Sequence, residues 1–105
     1  MVRLVVELDG QVVANGQLTL GRHTGEIGSL VVAPSCRRRG IGRVLLDALI
    51  ERARRRGVRV LEIAARADAS WVRAWYERQG FVLVEERVLP RDERVVLLRM
   101  GHLSG

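Results

Sequence analysis

Leu4, Val6 and Leu8 alternate with Arg3, Val5 and Glu7, a period of two that turns one side of an extended chain towards a core. Asp9-Gly10 supplies a turn and Val12 to Leu20 follows as a second strand, so the chain opens on a β-hairpin. After the polar stretch Gly21 to Gly25, the segment Glu26 to Val32 ends in Leu30-Val31-Val32, an apolar run that predicts a strand buried on both faces. A loop begins at Ala33-Pro34.

From Ile41 the period lengthens. Ile41, Val44, Leu45, Ala48, Leu49 and Ala53 recur at helical spacing, with Arg43, Asp47, Glu51 and Arg55 on the other side, and Gly57 stops the helix. Val58 to Ala65 reads as a strand. A second helix, capped by Asp68 or Ser70, runs to Gln79 and is closed by Gly80. Phe81 to Val88 and Arg94 to Met100 form a last pair of strands around Pro90-Arg91-Asp92-Glu93, and the tail from Gly101 is expected to fray. The order β-β-β-α-β-α-β-β predicts an α+β fold, a mixed and mainly antiparallel sheet with two helices packed on it.

Length fits a single domain over residues 1–105. No apolar run approaches the length of a bilayer crossing, and the N-terminus alternates like a strand rather than like a targeting segment, so a cytoplasmic protein is expected. Cys36 is the only cysteine; it has no internal disulfide partner and forms no metal site. His23 and His102 lack the paired spacing of metal ligands, and no metal is expected.

The net charge is +6, and all 18 basic residues are Arg. A substitution bias on a solvated surface explains most of such a total. A ligand rich in phosphate, whether nucleic acid or a small molecule, would also use it, because the guanidinium fork pairs with phosphate oxygens at two points. Position along the chain narrows the choice. Arg37-Arg38-Arg39-Gly40-Ile41-Gly42 joins a buried strand to the start of a helix, where backbone N–H groups lack intrahelical partners and face the positive end of the helix dipole. Glycines at 40 and 42 permit close approach of a phosphate to that backbone. A lone G-x-G is weak evidence; the strand before it and the amphipathic helix after it make it specific.

The run Val31 to Leu46, with Arg37-Arg38-Arg39-Gly40-Ile41-Gly42 at its centre, resembles the acyl-CoA-binding motif of the GNAT superfamily, and Ala74-Trp75-Tyr76-Glu77-Arg78-Gln79-Gly80-Phe81 resembles a second motif of that family at the family's spacing. The resemblance covers nearly the whole chain. It implies an acyl-CoA-dependent N-acyltransferase that moves acetyl from acetyl-CoA directly to a primary amine. The backbone of Leu30, Val31 and Val32 would pair with the pantetheine arm, and Arg37, Arg38, Arg39, Gly40, Ile41, Gly42 and Arg43 would surround the pyrophosphate. The strands bearing Val31 and Leu61 would splay, with the acyl donor in the gap.

Such a transfer needs a neutral amine, a place for the oxyanion and a proton for the departing thiolate. Tyr76, a phenol with an ordinary pKa of about 10, is the candidate acid, the role the family implies at that position; the alternative is a half-buried aromatic on the helix stripe Val72, Trp75, Tyr76, Gln79. Glu26 is the leading candidate base, at the spacing from Arg37 seen in the histone-acetyltransferase branch, against an ordinary solvated carboxylate at a strand end. Glu62 is the second candidate. It lies two residues before Ala64, where ribosomal-protein alanine acetyltransferases place their Glu, and shares a strand face with it. Ala69 stands where many relatives carry an Asn that touches the acyl donor. Cys36 is read as a loop thiol without catalytic duty, and Trp71 and Trp75 as core or pocket walls rather than a base-stacking platform.

The family's usual N-terminal strand and two helices do not precede the hairpin, which predicts an exposed sheet edge and a homodimer that covers it. A catalytically silent acyl-CoA-binding module and a basic nucleic-acid-binding protein stand as the competing functions. Identity of the amine acceptor and length of the acyl chain are not encoded in any motif.

Overall fold

The computed structural model describes residues 1–101; His102 and, apart from Gly101, the tail expected to fray lie outside the described residues. The first hairpin is β1 (Val2–Leu8) and β2 (Gln11–Leu20), followed by β3 (Thr24–Val32), a short 3-10 turn at Pro34–Cys36 and the helix α1 (Ile41–Arg55). Then come β4 (Val60–Arg66), α2 (Ser70–Arg78), β5 (Val82–Leu89) and β6 (Glu93–Met100). The element order is the expected one. The six strands form one sheet in the order β1-β2-β3-β4-β6-β5. Only the β3–β4 pair is parallel, because α1 carries the chain back across the sheet between those strands; every other neighbour pair is antiparallel.

Both helices lie on the same face. Leu45, Leu46, Leu49 and Ala53 of α1 and Tyr76 of α2 share one core with Leu18, Ile27, Leu61, Ile63 and Leu98 of the sheet. The three helix leucines are at most 1% exposed, and burying each contributes about 1.5–3 kcal/mol. Gly16 is what lets α1 approach β2: a Cβ there would stand 2.9 Å from Leu49 Cδ1.

One-sided packing corrects the expectation for β3. Its burial alternates, with Gly25 and Ile27 buried and Glu26 and Gly28 exposed, because no element covers the opposite face among the described residues. The second helix also starts differently: its N-cap is Ala69, without a side-chain cap, since Asp68 is paired with Arg66 (Nη2 to Oδ2 3.1 Å) instead of with the helix N-terminus. Gly57 ends α1 as expected, at φ +79 just past the cap Arg56, the left-handed conformation a side chain disfavours. Among the described residues no helix is long and apolar enough to cross a membrane.

Candidate active site

A β-bulge creates the site. Leu18 pairs with Ile27 and Gln17 with Ser29, so Gly28 is an extra residue on β3. An extra residue bends the strand and strengthens its twist, and the parallel pairing of β3 with β4 ends at Ile27↔Ile63, one residue before it. Beyond that point β3 stays paired to β2 as far as Val32, and β4 to β6 as far as Arg66. The two strands therefore open into a gap with backbone on both rims, as the splay implied by the motifs requires.

The bulge also decides which backbone groups face the gap. The N–H of Ala33 donates to the Val13 carbonyl at 2.8 Å, and backbone groups alternate along a strand, so those of Val31, paired with Asn15, face β2. Leu30 and Val32 turn theirs to the gap. Leu30, Val31 and Val32 all line the groove, Val31 with its backbone groups engaged by β2. The Val32 carbonyl accepts a hydrogen bond from Arg37 Nε at 3.3 Å, drawing the Arg-rich loop over the rim.

In that loop Arg38 (φ 65) and Gly40 (φ 77) are left-handed. Left-handed residues interleaved with others are the backbone pattern from which anion-binding N–H concavities are built. Among the described residues the backbone N–H groups of Arg38 to Arg43 donate to no backbone carbonyl; Val44 is the first in α1 to do so, to Gly40 O at 3.1 Å. A Cβ on Gly40 would meet nothing within 4 Å, so space at that mouth is kept clear by the absence of a side chain. Arg43 is held by Asp47 (Nε to Oδ1 3.1 Å) and by Gln79 of the second motif (Nη1 to Oε1 2.6 Å), which joins the two motifs physically.

These features line a groove of about 1020 Å³ along the gap on the helix side of the sheet. Of the residues expected to surround the pyrophosphate, Arg37, Arg38, Gly40, Ile41, Gly42 and Arg43 line it, and Arg39 does not. Ala69, Trp71, Trp75 and Tyr76 form the α2 wall. A Cβ on Gly42 would contact Trp75 at 3.4 Å, so the two motifs also pack. Tyr76 is 3% exposed, edge-on to Trp75 (4.9 Å between ring centroids) and to Phe81 (5.3 Å), which fixes its ring. Burial pushes the phenol well above the ordinary tyrosine value, so it stays protonated and is a donor at any working pH. Cys36 is buried beside the loop, with Ser35 Oγ 3.7 Å from its sulfur.

Glu26 and Glu62 lie on the opposite, uncovered face as direct partners across the parallel pair. They line a second concavity, of about 490 Å³, with Ala64, Val84, Leu97 and Arg99 among its other walls. Ala64 borders both hollows. Tyr76 lines the hollow on the helix side and the two carboxylates line the other. Glu62 Oε2 accepts two hydrogen bonds from Arg99, from Nε at 3.1 Å and from Nη2 at 2.8 Å; Glu26 has no ion-pair partner among the described residues. Sequence reasoning missed Arg99 and the bulge at Gly28. Both depend on strand register, and only the isolated glycine inside a strand pattern signalled the bulge.

An acyl thioester with a phosphate-bearing tail fits this shape: a narrow gap edged by backbone groups, leading to a basic, N–H-rich loop. The chain is 41% identical over 61 residues to mycothiol acetyltransferase of Beutenbergia cavernae, a stretch that is 58% of this chain and 20% of that protein. The chain thus spans one fifth of the length of the curated relative it matches. Among solved structures it superimposes on the ribosomal-protein-S18-alanine N-acetyltransferase of Escherichia coli with a TM-score of 0.88 at 24% identity, covering 99% of this chain and 70% of that one. A GNAT family acetyltransferase from Elizabethkingia anophelis with acetyl-CoA bound gives 0.82 at 20% identity, over 94% and 74% of the two chains. The family model described as "Acetyltransferase (GNAT) family" matches residues 1–81. Both motifs, the splayed strands and the loop at the mouth of α1 fall within or against that match, and the chain belongs to the GNAT family of acetyltransferases.

Proposed function

We propose that this domain transfers an acetyl group from acetyl-CoA to a primary amine by direct attack, with no acyl-enzyme intermediate. The observation that carries the reading is the pair of hollows on opposite faces of the sheet that share Ala64 as a wall, an arrangement that suits a donor and an acceptor approaching from two sides. Acetyl-CoA bound in the structurally similar Elizabethkingia anophelis protein supports the donor's identity.

In this reading the unpaired N–H groups of Arg38 to Gly42 hold the pyrophosphate, and Leu30 and Val32 offer backbone partners to pantetheine. Arg39 adds long-range charge rather than contact. The incoming ammonium gives its proton to Glu26, directly or through water, and the amine lone pair attacks the thioester carbonyl carbon. The oxyanion forms against a backbone N–H on the β3 rim. Collapse breaks the C–S bond, and Tyr76 donates a hydrogen bond to the departing sulfur. Its phenol is a weaker acid than a thiol, whose ordinary pKa is about 8.5, so Tyr76 keeps its proton; the second proton, which the cationic nitrogen sheds to water on collapse, balances the one the thiolate takes up from water. Glu26 is the better base than Glu62, because Arg99 occupies the latter.

A cytoplasmic location accompanies this substrate and the unpaired Cys36. We also propose a homodimer, supported by the exposed Val82, Val84 and Val88 on the edge strand β5; light scattering at micromolar concentration that shows monomer alone refutes it. The catalytic reading is tested by following thiol release from acetyl-CoA across a panel of primary amines. Wild type should turn over at least one of them, Tyr76→Phe and Glu26→Gln should each lower kcat by about 10²-fold or more, and Glu62→Gln should do so less. Thiol release equal in wild type and Tyr76→Phe would remove the tyrosine from the mechanism.

A further inference from the structure

Glu26, Glu62 and Arg99 form one row across the uncovered face, as consecutive register partners on β3, β4 and β6. In the next row of that face Ala64 is the partner of Leu97, and with Val84 they give the hollow an apolar floor. Its charged walls are Glu26, Glu62, Glu85, Arg87 and Arg99. Glu62 is neutralised by Arg99 at 2.8 Å and Glu85 by Arg87 at 2.6 Å, which leaves one uncompensated charge, the Glu26 carboxylate. Glu62 is neutralised but not saturated. Both of its bonds from Arg99 end on Oε2, so Oε1 has no hydrogen-bond partner among the described residues. The strands that carry Glu26 and Glu62 lie about 4.8 Å apart, and a compact ammonium with three N–H donors can reach both carboxylates at once.

From this arrangement we infer that the acceptor is a monocation, a primary amine whose ammonium is its only charge. The ammonium donates to Glu26 and to Glu62 Oε1, and a neutral, apolar body rests on the floor of Ala64, Leu97 and Val84. The inference rests on the acetyl-transfer reading and adds the acceptor's class to it. Free amino acids and other zwitterions are disfavoured. Each guanidinium of the hollow already faces a carboxylate, so the anionic end of a zwitterion has no uncompensated partner there and would meet Glu62 or Glu85 as a like charge. A polyamine gains nothing from its second ammonium, because no second carboxylate is uncompensated. The chain as a whole carries +6, a field that further opposes a dication at longer range. Glu26 thus both attracts the acceptor and stands in place to take its proton, while Arg99 holds Glu62 so that one oxygen remains for the ammonium.

Pentylamine, cadaverine and 5-aminopentanoate share a five-carbon chain and an ammonium of similar basicity, and differ in the charge at the far end: none, positive and negative. The test compares them as acceptors at low ionic strength, by thiol release from acetyl-CoA and, independently of turnover, by ligand-observed NMR in the presence of CoA. Pentylamine should exceed 5-aminopentanoate in kcat/KM by about fivefold, the size of one exposed charge contact. Cadaverine should stay within about twofold of pentylamine, its two equivalent amines included. Glu85 and Arg87 have no role in the chemistry, and removing either changes the charge count by one. Glu85→Gln leaves two carboxylates against two guanidinium groups and frees Arg87, so it should erase the difference between pentylamine and 5-aminopentanoate. Arg87→Gln leaves three carboxylates against one guanidinium and should favour cadaverine over pentylamine by about fivefold. Equal use of pentylamine and 5-aminopentanoate by the wild type overturns the inference and leaves the transfer reading standing. So does a preference that Glu85→Gln leaves unmoved, or a use of cadaverine that Arg87→Gln leaves unmoved. If nothing is acetylated, NMR decides: binding of pentylamine over 5-aminopentanoate that follows the two substitutions keeps the acceptor class and removes the transfer reading, whereas equal or absent binding removes the acceptor class.

Discussion

Gly40 separates the backbone's needs from those of the ligand. Its φ is +77 and a Cβ would meet no atom within 4 Å, so a side chain there strains the backbone without colliding with the protein. Holding an L-residue in the left-handed region costs about 1–2 kcal/mol, and the loss of chain entropy in the unfolded state on replacing glycine offsets about 0.4–1 kcal/mol of that. Gly40→Ala should therefore destabilise by about 1 kcal/mol, a fall in Tm of about 4–8 °C for a domain of this size. Gly40→Asn should lose less, because asparagine tolerates that conformation. Gly40→Glu should cost about as much stability as Gly40→Ala, since the site is open, but it places a negative charge where the pyrophosphate is proposed to lie. For one charge pair at about 5 Å the repulsion is about 0.8 kcal/mol at the dielectric of water and about 3 kcal/mol at an effective value of 20. Acetyl-CoA affinity should then fall between about fourfold and three-hundredfold. Differential scanning calorimetry reads the first quantity and isothermal titration the second. Wild-type affinity in Gly40→Glu would refute the placement of the phosphates, and a much larger loss of stability in Gly40→Glu than in Gly40→Ala would refute the open space.

Tyr76 is the chain's single tyrosine, so the ultraviolet absorbance of phenolate reports it alone. Burial raises its folded pKa, which means that the unfolded chain releases the proton first, near pH 10. The stabilising contribution is complete below that pH and is lost as pH climbs above it. The native protein should show no phenolate signal at about pH 10–10.5, where a free tyrosine is half ionised or more; the signal should appear together with loss of helical circular dichroism, and an ordinary titration in the folded protein would contradict the burial. Leu49 is fully buried, and Leu49→Ala should cost about 2–5 kcal/mol by denaturant melts. Gly16→Ala crowds Leu49 Cδ1 at 2.9 Å, so it should be less harmful in the Leu49→Ala background than alone; additive effects in that double-mutant cycle would refute the direct contact.

Much of this protein is local in origin and was legible in its sequence. The alternation of Leu4, Val6 and Leu8, the helical stripe from Ile41 to Ala53, Gly57 as a stop and the two motifs around Gly40 and Tyr76 each depend on a few neighbouring residues and on the intrinsic preferences of glycine and of apolar side chains. They sufficed for the element order and for the family resemblance. The sequence did not determine which sides of those elements meet. That both helices share one face leaves β3 half exposed, contrary to its apolar end, because burial depends on what is placed above a strand and not on the strand alone. The bulge at Gly28 sets whether Val31 or its neighbours face the gap, since adding one residue to a period of two exchanges the faces of all that follow. Pairing across strands brings Arg99 to Glu62 over 37 residues of chain, leaving Glu26 as the free carboxylate. Only tertiary structure could decide that, because register is fixed by the packing of the whole sheet and not by any segment of it.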